Sequence, residues 1–199
     1  MQTKTHWEQV YTSNPATEVS WFQEHSELSL RLIEETGAAK AGPLIDVGGG
    51  ASTFVDDLLA RGFENITVLD ISKAALSQAQ ERLGPRASQV IWKTADITTV
   101  RLPPHSYDVW LDRAVFHFLT HAEDRERYVR AMHLAVKPGG YMIVATFAPD
   151  GPAHFCSSVR SAVGASPPRP AIHGGDAVGL SRAGKISHTA PAPTASSPK

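Results

Sequence analysis

The sequence predicts an α/β domain built on five parallel strands. Three observations carry that prediction. Between residues 44 and 147, short apolar runs alternate with segments of helical period. The first run, Leu44-Ile45-Asp46-Val47, opens into Gly48-Gly49-Gly50-Ala51-Ser52 and then an amphipathic stretch, the pattern of a buried strand, a tight turn and a helix. Four aspartates, Asp46, Asp70, Asp96 and Asp112, stand at or just beyond the ends of expected strands. Such alternation means βαβ units and a parallel sheet. Right-handed crossovers bring the loops that follow the strands to one edge. The four acids are therefore expected in one crevice, where open sheets of this kind bind ligands.

Each element has its own signal. In residues 1–37, Trp7 and Tyr11 fall four apart on one helix face. Asn14-Pro15 marks a turn, and Val19-Ser20-Trp21-Phe22 is an apolar knot. Ser26 is placed to cap a helix with Leu28, Leu32 and Ile33 inward, ending at Gly37. Strand one is Leu44 to Val47; Ser52 is the expected cap of the next helix, with Val55, Leu58 and Leu59 in register and Gly62 as its stop. Strand two is Ile66 to Asp70, and Ser72 caps a helix carrying Leu76, Ala79 and Leu83. Val90-Ile91-Trp92 is strand three and Tyr107 to Leu111 strand four. Glu126 to Val136 reads as a helix, and Pro138-Gly139-Gly140 turns into strand five, Tyr141 to Phe147.

Composition narrows the class. The chain has 199 residues, 42% hydrophobic and 20% charged, enough for one domain with a sizeable core. Its net charge of −1 is uneven: residues 151–199 carry five Lys/Arg and one acid, so the preceding 150 residues are acidic. An acidic body argues against nucleic-acid binding. The single cysteine, Cys156, leaves no internal disulfide and fits a reducing compartment. No secretory leader is visible in residues 1–10, and no apolar run reaches membrane-spanning length. A cytoplasmic protein without membrane contact is expected.

The acids specify the ligand's chemistry. From Gly48, a dinucleotide fingerprint would need a third glycine at residue 53, where the chain has Thr53. Asp46 would repel a pyrophosphate and attract an ammonium or sulfonium. Asp70, ending the second strand, can accept hydrogen bonds from both hydroxyls of a ribose. At this point the chain resembles the class I S-adenosylmethionine-dependent methyltransferases. Asp46-Val47-Gly48-Gly49-Gly50-Ala51-Ser52 is similar to their glycine motif, with Ser52 in place of the last glycine, and Val68-Leu69-Asp70-Ile71-Ser72 to their second motif. Ala95-Asp96-Ile97, Tyr107 to Arg113, and Leu134 to Gly140 resemble three further motifs in order.

The resemblance spans roughly residues 43–152 and implies a Rossmann-like three-layer sandwich that binds S-adenosyl-L-methionine. It places Asp46 at the methionine end, Gly48 and Gly50 in close backbone approach, Asp70 on the ribose and Asp96 on the adenine amine. Ile71 and Ile97 flank the adenine ring. Asp112 and His117 are candidates for orienting or deprotonating the acceptor. His117 and His121 are four apart, but no third ligand accompanies them and no metal is expected. The implied activity is methyl transfer to an unidentified small molecule or protein. The alternatives are a truncated, non-catalytic cofactor-binding relic and an NAD(P)-linked oxidoreductase.

Three segments follow: a helical lid at 1–37, a cofactor-binding domain at 38–152, and a disordered low-complexity tail at 153–199. From residue 151 onward, 30 of 49 residues are Gly, Pro, Ala or Ser and no apolar period survives, so too little surface can be buried to offset ordering entropy. The resembled family usually continues with a C-terminal antiparallel hairpin, which this composition does not supply. An out-of-frame reading of a GC-rich gene would produce such a composition. Strand five is then expected to present a bare edge.

Overall fold

The computed structural model describes residues 4–15, 17, 22–113, 115–147 and 157–159. Helix α1 (Lys4–Ser13) and helix α2 (Glu27–Glu35) precede the sheet. Then come β1 (Leu44–Val47), α3 (Phe54–Ala60), β2 (Ile66–Asp70), α4 (Lys73–Leu83), β3 (Val90–Thr94), β4 (Tyr107–Asp112), α5 (Ala122–Ala135), β5 (Val136–Phe147) and a short β6 (Ser157–Val159). The strand order is β3-β2-β1-β4-β5-β6, with β6 antiparallel to β5 and every other pairing parallel. The order reverses between β1 and β4, so the loops leaving those two strands diverge and open a crevice.

Apolar side chains alternate between the two faces of the sheet. Leu44, Ile66, Val68, Val109, Leu111 and Ile143 join one core with Phe54 and Leu58 of α3, Leu76 of α4 and Ile33 of α2. Ile45, Val47, Leu69, Trp110, Met142 and Val144 join the other with Tyr128 and Met132 of α5. These two cores make the three-layer arrangement. The alternation also sorts the acids. Asp46 shares a face with Leu44, and Asp70 with Ile66 and Val68, toward α2–α4. Asp112 shares a face with Trp110, toward α5.

Some local expectations shift. Ser72 caps α4 as expected, its Oγ accepting from the Ala75 N–H at 3.1 Å. Helix α3 starts later than the Ser52 cap predicts, with Thr53 at the cap position. Ser52 Oγ still accepts from the Phe54 N–H at 3.2 Å, while the Thr53 hydroxyl donates to the carbonyls of Gln23 and Glu24. Ser26 stands at the N-cap of α2 without a side-chain bond to the helix; its hydroxyl donates to Gln23 Oε1 instead. Helix α5 begins four residues before the expected start, and β5 runs back to Val136 through Pro138-Gly139-Gly140. β6 falls within the segment expected as tail and pairs with Ala145 to Phe147, so the expected bare edge of β5 is covered there. The rest of that segment, Cys156 included, and Val19 to Trp21 of the apolar knot lie outside the described residues.

Helix α1 fully buries none of its residues, so polar contacts carry much of its placement. Glu8 does so. Its Oε1 accepts from the Lys73 N–H at 2.9 Å, and its Oε2 from the Ala74 N–H at 2.9 Å and the Ser72 hydroxyl at 3.1 Å. The carboxylate thus satisfies open donors at the N-terminus of α4, where negative charge is favoured. Those hydrogen bonds outweigh the upward pull of burial and hold the Glu8 carboxyl below its ordinary range. Gln78 of α4 donates to the Tyr11 and Asn14 carbonyls. Glu8→Ala is expected to cost about 1 kcal/mol, the scale of a lost cap, and to raise amide exchange in α1 above that in the sheet. Unchanged exchange in residues 4–13 would refute the latch.

Candidate functional site

A cleft of about 380 Å³ opens at the reversal between β1 and β4, a volume within the usual range for small-ligand sites. Its floor is the turn after β1 and the loop after β4. Trp7 and Tyr11 of α1 and residues 22–29 form the far wall.

The turn needs its glycines. Gly48 has φ of 74°, and a Cβ there would overlap Val115 Cγ2. Gly50 has φ of 48°, and a Cβ would come within 3.0 Å of Asp70 Oδ2. Only a residue without a side chain keeps these backbones against the loop and the acid. Gly48, Gly49, Ala51 and Ser52 line the cleft; Gly50 lies behind, beside Asp70.

Asp70, Ile71, Asp96 and Ile97 all line the cleft, so with Gly48 and His117 the structure brings six of the expected site residues together. Asp70 is 9% exposed and its Oδ1 accepts from the Ser72 N–H at 2.8 Å. Burial pushes its carboxyl up to about 7, against the pull of that N–H and with a further push from Asp46. Asp96 Oδ1 accepts from the N–H and hydroxyl of Thr98, at 2.8 and 2.7 Å, which fixes the carboxyl on its turn.

Asp46 is buried behind the turn and does not line the cleft. Its Oδ2 lies 3.5 Å from Arg113 Nη2, and its Oδ1 has no hydrogen-bond partner among the described residues. Burial lifts its carboxyl to about 6; Arg113 pulls it down and Asp112 pushes it up. Arg113 directly follows Asp112 in the sequence, yet it does not neutralise that neighbour. Strand alternation explains why it pairs with Asp46 instead: Val47 is in register with Asp112 and Asp46 with Leu111, so residue 113 returns to the Asp46 face. Arg113 Nη1 also donates to Ser26 Oγ at 2.8 Å and Nη2 to Ser52 Oγ at 2.9 Å. The guanidinium carbon sits 4.5 Å over the Phe54 ring.

Asp112 does not reach the cleft, and the expected acceptor-facing role is corrected. It is fully buried on the α5 face; Oδ1 accepts from the Val115 N–H at 2.7 Å and Oδ2 from the Phe116 N–H at 3.0 Å. The Tyr128 hydroxyl bonds the same carboxylate and accepts from Trp110 Nε1 at 2.9 Å. Both oxygens are spent on shaping the loop that carries Val115 and His117 into the cleft.

His117 does line the cleft, in a single 3-10 turn (Phe116–Phe118), with its ring 4.1 Å from that of Phe118. Phe118 meets Trp7 edge-on at 5.1 Å, closing the loop against α1. Burial lowers the imidazole to about 4, so the ring is neutral at physiological pH and a weak proton acceptor. The sequence reading missed Arg113 as a lining residue, Glu8 as a latch, and Tyr128. Only Arg113 left a signal, in the strand alternation just described.

Comparison with known proteins bears directly on this cleft. The family described as Methyltransferase domain matches residues 45–144, half of the chain. The chain is 27% identical over 156 residues to EEF1A lysine methyltransferase 2 of Danio rerio, covering 71% of this chain and 67% of that one. It is 26% identical over 131 residues to a malonyl-[acyl-carrier protein] O-methyltransferase of Paenibacillus sp., covering 63% of this chain but 46% of that one. Among solved structures, an S-adenosylmethionine-dependent methyltransferase of Methanococcus maripaludis shares the fold with a TM-score of 0.57 at 17% identity, over 72% of this chain and 64% of that one. Phosphoethanolamine N-methyltransferase 2 of Haemonchus contortus, solved with S-adenosyl-L-methionine, gives 0.54 at 19% identity, over 74% and 35%. Nothing among these supports the nicotinamide alternative. The glycine turn and the acids after β2 and β3 are thus parts of a shared domain, and this chain belongs to the methyltransferase domain family as a class I S-adenosylmethionine-dependent methyltransferase.

Proposed function

We propose that the cleft holds S-adenosyl-L-methionine and that the chain passes its methyl group to a small-molecule or protein acceptor entering beside α1 and residues 22–29. One observation carries this reading: the glycine turn, Asp70 and Asp96 converge on a single cleft at the reversal of strand order. Residues 38–152 are the cofactor-binding domain and residues 1–37 its lid. The residues fit the cofactor chemically. Asp70 accepts from the ribose hydroxyls, Asp96 faces the adenine amine, and Ile71 and Ile97 flank the ring. Gly48 admits the backbone approach, Gly50 behind it lets the turn close on Asp70, and the Oδ1 of buried Asp46, without a partner among the described residues, gives the methionine end a negative field.

The cofactor supplies an electrophilic methyl on a sulfonium. The protein contributes alignment and the exclusion of water. Asp112 serves as a positioning residue for the 113–118 loop. His117, neutral and weakly basic, orients the acceptor by hydrogen bonding; it does not extract a proton from an ammonium. Among the described residues no helix is long and apolar enough to cross a membrane, and a cytoplasmic location accompanies the reading.

The test is thermal unfolding with and without S-adenosylhomocysteine at pH 5.5 and pH 8. Asp46 and Asp70 rise from 3.8 to about 6 and about 7 in the folded chain. Each binds its proton more tightly folded than unfolded. Their stabilising contribution is complete below 3.8 and is lost as pH rises through about 6 and then about 7. A ligand that needs the ionised carboxylates has the opposite dependence. The ligand-free protein is expected to be less stable at pH 8, and the ligand to raise Tm by several degrees more there than at pH 5.5. A sharp melt that no ligand moves at either pH would overturn the reading.

A further inference from the structure

The cleft is lined by three acids, Glu27, Asp70 and Asp96, and by Arg113, its one lysine or arginine among the described residues. Asp70 and Asp96 sit after β2 and β3. Arg113 sits apart from them, over the glycine turn, where it contacts Ser52 and Asp46. A guanidinium carries five N–H donors. Here three acceptors are assigned, Ser26 Oγ, Ser52 Oγ and Asp46 Oδ2, the last at a long 3.5 Å. The side chain is 18% exposed, stacked on Phe54 and tied to two serines, so it is held in place before any ligand arrives. A pre-positioned planar cation with spare donors is suited to a carboxylate.

S-adenosylmethionine carries one anionic group, the α-carboxylate at its methionine end. We infer that Arg113 binds that carboxylate and thereby makes the amino-acid end of the cofactor a determinant of specificity. The inference rests on the proposed occupancy of the cleft. Asp46 then has a second role, because its field, beside the guanidinium, complements the ammonium on the same carbon as the carboxylate. Cation and acid together match a zwitterion. Either charge alone would leave one end of it without a partner.

The alternative role for Arg113 is a strap joining α2, the glycine turn and the loop after β4. The two roles separate on the ligand. Calorimetry would compare S-adenosylhomocysteine with its decarboxylated counterpart, which keeps the amine, and with 5′-methylthioadenosine, which lacks the whole amino-acid end. The wild-type protein is expected to prefer S-adenosylhomocysteine over the decarboxylated ligand by 10-fold to 100-fold. In Arg113→Gln that preference is expected to collapse to within about 3-fold, with binding of the decarboxylated ligand nearly unchanged, since the lost partner is the carboxylate's. Arg113→Lys, which keeps the charge without the planar fork, should fall between.

Equal loss for all three ligands in Arg113→Gln would show a strap and overturn the inference. So would a wild-type protein indifferent to the carboxylate, a result that needs no variant to fold. Failure of the wild-type protein to bind any of the three would instead remove the cofactor reading itself, and this inference with it.

Discussion

Asp112→Ala is expected to cost about 3–5 kcal/mol of folding stability, the scale of breaking a buried charged cluster by removing one member. The carboxylate is fully buried and accepts from the N–H groups of Val115 and Phe116. The buried Tyr128 hydroxyl bonds it as well. Removing it strands the fully buried Tyr128 hydroxyl and takes the acceptor from two partly buried backbone donors, and each stranded group costs about 1–3 kcal/mol. Asp112→Asn keeps one acceptor and should lose roughly half as much. Urea unfolding measures both. The same variants should weaken S-adenosylhomocysteine binding only as far as the 113–118 loop shifts. A loss of stability under about 1 kcal/mol in Asp112→Ala would contradict the cluster. Normal stability with abolished methyl transfer would restore the acceptor-facing role that the sequence suggested.

Asp70→Asn separates binding from folding in the opposite direction. The amide oxygen still accepts from the Ser72 N–H, so the cap on the turn survives. What disappears is a carboxylate able to accept from two ribose hydroxyls at once. Cofactor affinity should fall by about 1–3 kcal/mol, roughly 5-fold to 150-fold. The fold should lose little, and above pH 7 the variant should equal or exceed the wild type in stability, because an ionised Asp70 is costly to bury. Calorimetry and melting curves at pH 8 check both halves. The pH dependence of binding should also lose its step near 7 and keep the one near 6 that belongs to Asp46. Unchanged affinity would mean that the ribose does not meet this residue.

The sheet was legible because its central strands β1, β2 and β4 are buried on both faces and therefore read as near-continuous apolar runs, each carrying an acid at or near its end. Asp70 is the clearest case: Ile66 to Leu69 fill the core, and the acid follows where the strand leaves it. Ser72 was legible for a local reason, since a cap is a matter of three residues. What escaped were facts about register and about distant partners. Asp46 and Asp112 look alike in sequence, yet alternation sends them to opposite faces once β1 and β4 are aligned. Ser26 sits at the cap position, but its hydroxyl is claimed by Gln23 and by Arg113, 87 residues away. Glu8 offers no sequence signal at all, because the donors it satisfies lie more than 60 residues ahead. Strand β5 was read short because a Pro-Gly-Gly run argues for a turn, whereas here it is accommodated as a register shift against Tyr107–Val109.

The bonds that tie α1 to α4, and Ser26 to Arg113, have a consequence for the order in which the molecule assembles. They close loops of 64 to 87 residues, and contacts at such separation form late and slowly because chain entropy must be lost before they contribute. The sheet and its two cores can condense first around the parallel strands. The far wall of the cleft comes from the residues that precede β1 and joins afterward. A nascent chain that has exposed only its glycine turn holds half a site, and a fragment starting at β1 would lack the aromatic wall. Ligand binding therefore reports completion of folding, and cofactor present during refolding should accelerate the final docking of α1 without changing the earlier collapse of the sheet.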